Sequence, residues 1–282
     1  MTHLFVVTLC VYLAATMASL VYFATLREEI RTLGRWLLAG AGLVHTVYLV
    51  VRYLEVGHTP LTSNHEAVSF MAWSLTWGFL SFRYRYKVIN FGAFVSPLIS
   101  LLMLYAAFSS AAVRELPPTL KSGWLPVHAS IAIMAYSFLA LAFCGGVMYL
   151  LLEREIKHKR FGLFYKRLPS LEDLDNLNQH CLAVGFALLT LGIITGAIWA
   201  KHVWGAYWRW DPKMTGTMVT WFIYAAMLHQ RFTVGWRRRR AAIMAIVGFA
   251  FALFTFLGVS YLHQGGIHSF LGGDLPVSEE RF

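Results

Sequence analysis

The chain has 282 residues, of which 58% are hydrophobic and only 13% charged, whereas a soluble domain of this length carries about twice that charge. This composition excludes a water-soluble globular protein and points to an all-α polytopic membrane protein. The net charge of +10 does not imply a nucleic-acid partner, because the basic residues are sorted by loop rather than gathered on one surface.

Taken in chain order, the apolar runs predict eight spans at roughly 3–25, 35–55, 67–82, 88–110, 127–152, 181–200, 214–232 and 241–262. Most reach the ~20 residues that the hydrocarbon core requires, and the third is the shortest. The first is expected to be retained rather than cleaved as a signal peptide, since no basic residue precedes it and Arg27, Arg31 and Arg35 follow it. The odd-numbered connections hold 17 of the 24 Lys and Arg residues, among them Arg83, Arg85, Lys157, Lys166 and Arg237 to Arg240. The other side holds seven: Arg52, Arg114, Lys121, Lys201, Arg209, Lys213 and Arg281. By the positive-inside rule the odd connections are cytoplasmic and both termini are extracytoplasmic. The Arg237–Arg240 run then reads as a topological anchor.

No connection is long enough for a soluble domain, so residues 1–282 read as a single integral membrane domain. The longest connection covers 153–180. Within it, Ser170-Leu-Glu-Asp173 has the form of a capping box, and Leu171, Leu174 and Leu177 share one helical face. This predicts a helix on the cytoplasmic interface leading into the sixth span. Gly192, Gly196 and the pair Gly145-Gly146 are placed to let helices approach closely. Cys10, Cys144 and Cys181 form neither CxxC nor CxxCH, so they read as structural thiols.

The connection before the seventh span reads Trp204-Gly-Ala-Tyr-Trp-Arg-Trp-Asp211. Five of the ten Trp residues (Trp199, Trp204, Trp208, Trp210 and Trp221) fall within 23 positions. An interfacial aromatic belt accounts for one or two Trp per helix end. It does not account for Trp204, Tyr207 and Trp208 at i, i+3 and i+4, which share a face if the loop is helical. A binding platform for a large flat ligand does.

Eleven histidines are many for so apolar a chain. His128 opens the fifth span, and His268 follows the eighth, both on the predicted outward side with the 199–213 loop. Each alone reads as an interfacial residue; two imidazoles beside one aromatic platform could hold haem iron axially. His229 lies about 15 residues, or roughly 20 Å, from the outward end of the seventh span. An ionisable residue at that depth is functional by default. His45, in the second span, reads as a polar bridge between helices. His3, His58, His65, His158 and His180 read as surface residues, and His202 and His263 as neighbours of the platform.

The stretch Trp204-Gly-Ala-Tyr-Trp-Arg-Trp-Asp-Pro-Lys213 resembles the WWD signature of haem-handling cytochrome c assembly proteins. With Leu125-Pro-Val-His128, Tyr224-Ala-Ala-Met-Leu-His229-Gln-Arg231, Phe256-Leu-Gly-Val-Ser-Tyr261 and Gly266-Ile-His-Ser269, the likeness is to the CcsA/ResC family of the System II pathway. Pro60-Leu-Thr-Ser-Asn64 followed by Glu66 resembles that family's early outward motif. Two details depart from the family pattern: Met214 stands where an acidic residue is usual, and His65 and Ala67 flank Glu66 where Tyr and Ser are usual.

The resemblance implies a multi-pass protein of the bacterial cytoplasmic membrane with an outward-facing WWD loop. It implies haem b bound non-covalently, with His128 and His268 as axial ligands and His229 in an intramembrane haem site. Trp204, Tyr207, Trp208, Trp210 and Asp211 would contact the cofactor. No protein nucleophile is expected. The implied role is a haem-delivery and haem-presenting subunit of a cytochrome c synthetase, with a CcsB/ResB-type partner and an apocytochrome c CxxCH segment as acceptor. Three alternatives remain open: a HemX-like assembly or regulatory protein, a b-type membrane cytochrome for which His45 and His229 are the candidate pair, and a transporter with a Trp-lined vestibule.

Overall fold

A computed structural model describes residues 2–85, 90–109, 122–159 and 162–258, and all regular structure among them is helical. Helices α1 (Thr2–Thr25), α2 (Glu28–Val56), α3 (Asn64–Arg85) and α4 (Gly92–Phe108) form the N-terminal half. The rest comprises α5 (Trp124–Lys157), the short α6 (Leu163–Arg167), α7 (Leu171–Trp204), α8 (Pro212–His229) and α9 (Arg239–Leu253). One π-helical turn, Gln230–Val234, follows α8, and another, Phe254–Gly258, follows α9.

Among the described residues five helical segments are long and apolar enough to cross a membrane: His3–Thr25, Glu28–Val56, Trp124–Lys157, Leu171–Trp204 and Arg239–Gly258. The Gly92–Phe108 helix is apolar but shorter. Helices α3 and α8 coincide with the third and seventh predicted spans but are not among these five. Ser69, Ser74 and Thr76 on α3 and Thr220 on α8 are buried polar residues that face the interior. Hydropathy averages over faces, and an inner helix can be polar where its neighbours supply hydrogen bonds.

Helix α5 packs on α7, α9 and α3, while α1 packs on α2 and α4. Small residues set these distances. A Cβ added to Gly146 of α5 would lie 2.9 Å from the Ala242 carbonyl oxygen of α9, so only a glycine admits that approach.

The capping box at the start of α7 forms as expected, with Ser170 Oγ accepting from Asp173 N at 3.1 Å. The helix it starts leads straight into the sixth span. Helix α7 runs unbroken for 34 residues, because no Gly or Pro interrupts it before Gly185 and nothing unwinds it there. Leu174 and Leu177 are fully buried in the core rather than lying on an interface. Helix α7 ends where Gly205 takes the left-handed conformation (φ 74°) and donates its N–H to Lys201 O.

The odd connections gather at one end of the bundle. Asn90 donates to Arg167 O at 2.6 Å, the Arg167 guanidinium lies 5.8 Å from the Phe23 ring, and Arg238 N donates to Asp175 at 2.9 Å. Arg231 of the π-helical turn is buried there and makes two bonds to the Asp175 carboxylate, at 3.0 and 2.8 Å.

Candidate functional site

At the opposite end, the start of α5, the end of α7 and the start of α8 enclose a cavity of about 180 Å³. The stretch Leu61–Thr62 before α3 and Phe256 of the last π-helical turn complete its wall. The lining is largely apolar; its named polar groups are His128, Thr62, Tyr136, Thr217 and Lys213. A cavity with this balance is built for a hydrophobic body held by a few directed contacts.

His128 lies in the second turn of α5, five residues after Gly123. Its Nδ1 donates to the Gly192 carbonyl oxygen on α7 at 2.8 Å. That bond fixes the tautomer with the lone pair on Nε2, the arrangement that metal-ligating histidines use. Trp199 stacks parallel to the ring, 6.0 Å between centroids and 9° between planes. Trp204 meets Trp199 edge-on at 4.8 Å.

The loop between α7 and α8 is not helical, so the expected shared face of Trp204, Tyr207 and Trp208 does not exist as a helical stripe. The left-handed Gly205 reverses the chain after Trp204, and Asp211 restarts it. Trp204 and Trp208 still reach the cavity wall, by different routes. Tyr207 is turned outward beside the Lys201 ammonium, 5.5 Å from its ring centre, and Trp210 is 85% exposed. Neither lines the cavity. Trp210 packs edge-on against Trp208 at 5.8 Å.

Asp211 is the N-cap of α8. Its Oδ2 accepts from Lys213 N at 3.0 Å and Met214 N at 3.3 Å, and Pro212 occupies the first helical position. The carboxylate therefore does a capping job within the motif. It also aims α8 so that Lys213 and Met214 face the cavity. The Lys213 ammonium lies 5.8 Å from the Phe256 ring centre.

His229 ends α8 and is exposed on its outer side, with Thr233 Oγ1 3.5 Å from its Nδ1. Eighteen residues of α8 separate its two ends by roughly 25 Å at 1.5 Å per residue. The structure thus keeps His229 apart from His128. His268 and His263 lie outside the described residues.

The remaining histidines divide unexpectedly. His45 is fully buried, between Tyr12 Oη at 3.2 Å and Ser69 Oγ at 2.9 Å, which makes it a bridge among α1, α2 and α3. It is not brought to His229, since α2 packs on α1 and α3. His65, read from sequence as a surface residue, is buried: its Nδ1 donates to Ala106 O at 2.7 Å and its Nε2 meets Tyr48 Oη at 2.8 Å. Beside it, Arg52 and Glu66 form a buried ion pair at 3.0 Å. Glu66 also accepts from the Thr62 N–H at 3.1 Å and hydroxyl at 3.0 Å, and so fixes part of the cavity wall.

Sequence reasoning missed Trp199 as the partner of His128 and missed Gly192 as its acceptor. The signal was present: Gly192, Gly196 and Trp199 stand at i, i+4 and i+7, on one face of one helix.

Residues 62–268 match the family model described as cytochrome C assembly protein. The cytochrome c biogenesis protein CcsA of Guillardia theta is 36% identical over 244 residues, covering 80% of this chain and 81% of that one. The CcsA of Prochlorococcus marinus is 33% identical over 263 residues (84% and 83%). That of a Synechococcus species is 32% identical over 276 residues (89% and 90%). Among solved structures, cytochrome c heme lyase CcmF shares the fold with a TM-score of 0.62 at 16% identity; the match covers 97% of this chain and 46% of that one.

Proposed function

Because the chain belongs to the cytochrome c assembly protein family, we propose that it is the haem-delivery and haem-presenting subunit of a System II cytochrome c synthetase. Haem is its substrate, handed on to an apocytochrome c CxxCH segment in company with a CcsB/ResB-type membrane partner. The observation that carries this reading is His128, whose tautomer places a lone pair on Nε2 at the wall of an aromatic, largely apolar cavity.

The residues present suit the ligand. Imidazole is a good iron ligand. Trp204 and Trp208 line the cavity with aromatic surface suited to a porphyrin, and Lys213 supplies a positive charge for its carboxylate edge. His268 is the second axial ligand in this reading, on the strength of the family resemblance. The protein contributes orientation and exclusion of water, while the thioether-forming reactivity belongs to the haem vinyl groups and the acceptor thiols.

The same reading assigns direction. In this reading the membrane is the bacterial cytoplasmic one, and the Lys and Arg asymmetry favours an outward-facing cavity with His229 toward the cytoplasm. His229 then marks haem entry, and its exposed position suits a site closed by the partner or by lipid. The test is the absorption spectrum of the complex purified from membranes. Wild-type protein carries haem, and His128→Gly loses most of it or shifts the Soret band, with added imidazole refilling the vacated position. An unchanged spectrum in His128→Gly removes His128 as a ligand.

A further inference from the structure

We propose that the face of α7 formed by Gly192, Gly196 and Trp199 is a positioning device for the His128 imidazole, setting its tautomer, its plane and its height for coordination through Nε2. The inference rests on the haem reading above and deepens it, because none of these three residues need touch the ligand to matter.

Each member contacts a different part of the ring. The Gly192 carbonyl accepts the Nδ1 proton at 2.8 Å and fixes the tautomer. Trp199, itself 2% exposed, lies parallel to the imidazole at 9° and fixes its plane. Gly196 sets the height. A Cβ there would fall 2.7 Å from Cε1 and 2.8 Å from Nδ1 of His128.

Gly196 is a glycine for space and not for backbone conformation. Positive φ among the described glycines occurs at Gly57, Gly205 and Gly235, and Gly196 is not one of them. The absent Cβ is what lets the ring lie against the helix. Gly192 serves the same approach: its Cβ would meet the Ala132 Cα of α5 at 3.3 Å, so the glycine brings α5 close enough for His128 to reach the carbonyl. That carbonyl also accepts from Thr195 Oγ1 at 3.1 Å, which steadies the acceptor.

The consequence is a separation of stability from site geometry. An imidazole at the end of a side chain can swing away from a new methyl group, so Gly196→Ala leaves the α5–α7 pair assembled. The displaced Nε2 no longer meets the iron in line, and its bond to Gly192 lengthens. Losing a partner that orients a metal-ligating histidine typically lowers metal affinity 10–100-fold, so Gly196→Ala should retain haem about tenfold less well.

The experiment compares the purified complex of wild type, His128→Gly, Gly196→Ala, Gly185→Ala and Trp199→Leu by haem per folded protein, Soret position and response to imidazole. Gly185→Ala is the control for packing between the same two helices: its Cβ would lie 2.6 Å from Leu139 Cδ2 and 3.4 Å from the Leu139 backbone N on α5, away from the His128 ring. The inference expects Gly196→Ala to lose haem with a shifted band, imidazole to restore both, and Gly185→Ala to match wild type. Trp199→Leu keeps the glycine and removes the ring stack, and it should show the same imidazole-reversible loss; it decides the matter if Gly196→Ala does not accumulate. Wild-type haem content and band position in Gly196→Ala or in Trp199→Leu overturn the inference while leaving His128→Gly to uphold the haem reading. An equal loss in Gly185→Ala overturns it too, by showing a general packing effect. Haem-free wild-type protein overturns the haem reading and this inference together.

Discussion

Asp211 and Glu66 each hold backbone beside the cavity wall. Asp211 caps α8, so Asp211→Ala should cost about 1 kcal/mol of stability and lower the thermal midpoint of the purified protein. Asp211→Asn caps nearly as well and should keep both fold and haem. A haem loss in Asp211→Asn at normal stability would show that the carboxylate touches the ligand directly. Glu66 is more deeply committed: it pairs with Arg52 at side-chain exposures of 3% and 7%. Glu66→Gln strands the guanidinium without its counter-charge, at a cost on the order of 3–5 kcal/mol, and frees the Thr62 segment of the cavity wall. The check is denaturation of the purified protein, where a midpoint equal to wild type would contradict the pairing. These roles show what single residues disclose from sequence. The placement of His128 beside the tryptophans is legible from its helix-end position and the nearby Trp cluster. His65 was not, because one polar residue near a helix start looks solvated, and only the fold shows Ala106 O and Tyr48 waiting for it.

Helices are legible wherever one face or the whole surface is apolar, and the predicted spans overlap α1, α2, α3, α4, α5, α7, α8 and α9. Their lengths were harder to see. Helix α7 absorbs both the capping-box segment and the sixth span, since neither Asn178-Gln179-His180 nor Gly185 breaks a helix whose buried face is continuous through Leu174, Leu177, Leu182 and Leu189. The Trp-rich loop lies where the sequence places it, but the helix on which a shared face of Trp204, Tyr207 and Trp208 depends does not form. Gly205 at φ 74° is the cause, and no spacing of aromatic residues reveals it. Replacing Gly205 with Val puts a β-branched residue where only glycine is relaxed, and α7 would end differently or at a cost of roughly 1–2 kcal/mol. Trp208 should then leave the cavity wall. Quenching of Trp fluorescence by bound haem reports this: Gly205→Val should weaken it, and undiminished quenching would show that the turn does not set the platform. Helix α8 separates His229 from the cavity, so His229→Ala should lower haem per folded complex while leaving the spectrum of the residual haem unchanged. Full occupancy at normal abundance would leave His229 without a part in entry.

For the whole molecule, two ends of one bundle carry different chemistry. One end holds the basic connections and the Asp175–Arg231 clamp; the other holds His128, the tryptophans and Lys213. Charge counting sorts the connections into these two sets, because topology in membranes is written in Lys and Arg near helix ends. What it could not supply was the burial of Arg52 and Arg231, both of which count as loop charges in sequence and are interior ion-pair partners in the fold. Reporter fusions after Arg240 should read cytoplasmic and fusions after Gly273 extracytoplasmic; a cytoplasmic C-terminus would separate His268 from the cavity. The central claim is that haem sits in the outward cavity on His128. A density map of the haem-loaded complex tests it most directly. The account predicts iron on His128 Nε2 with the porphyrin bordered by Trp204 and Trp208, and haem bound elsewhere with this cavity closed would contradict it.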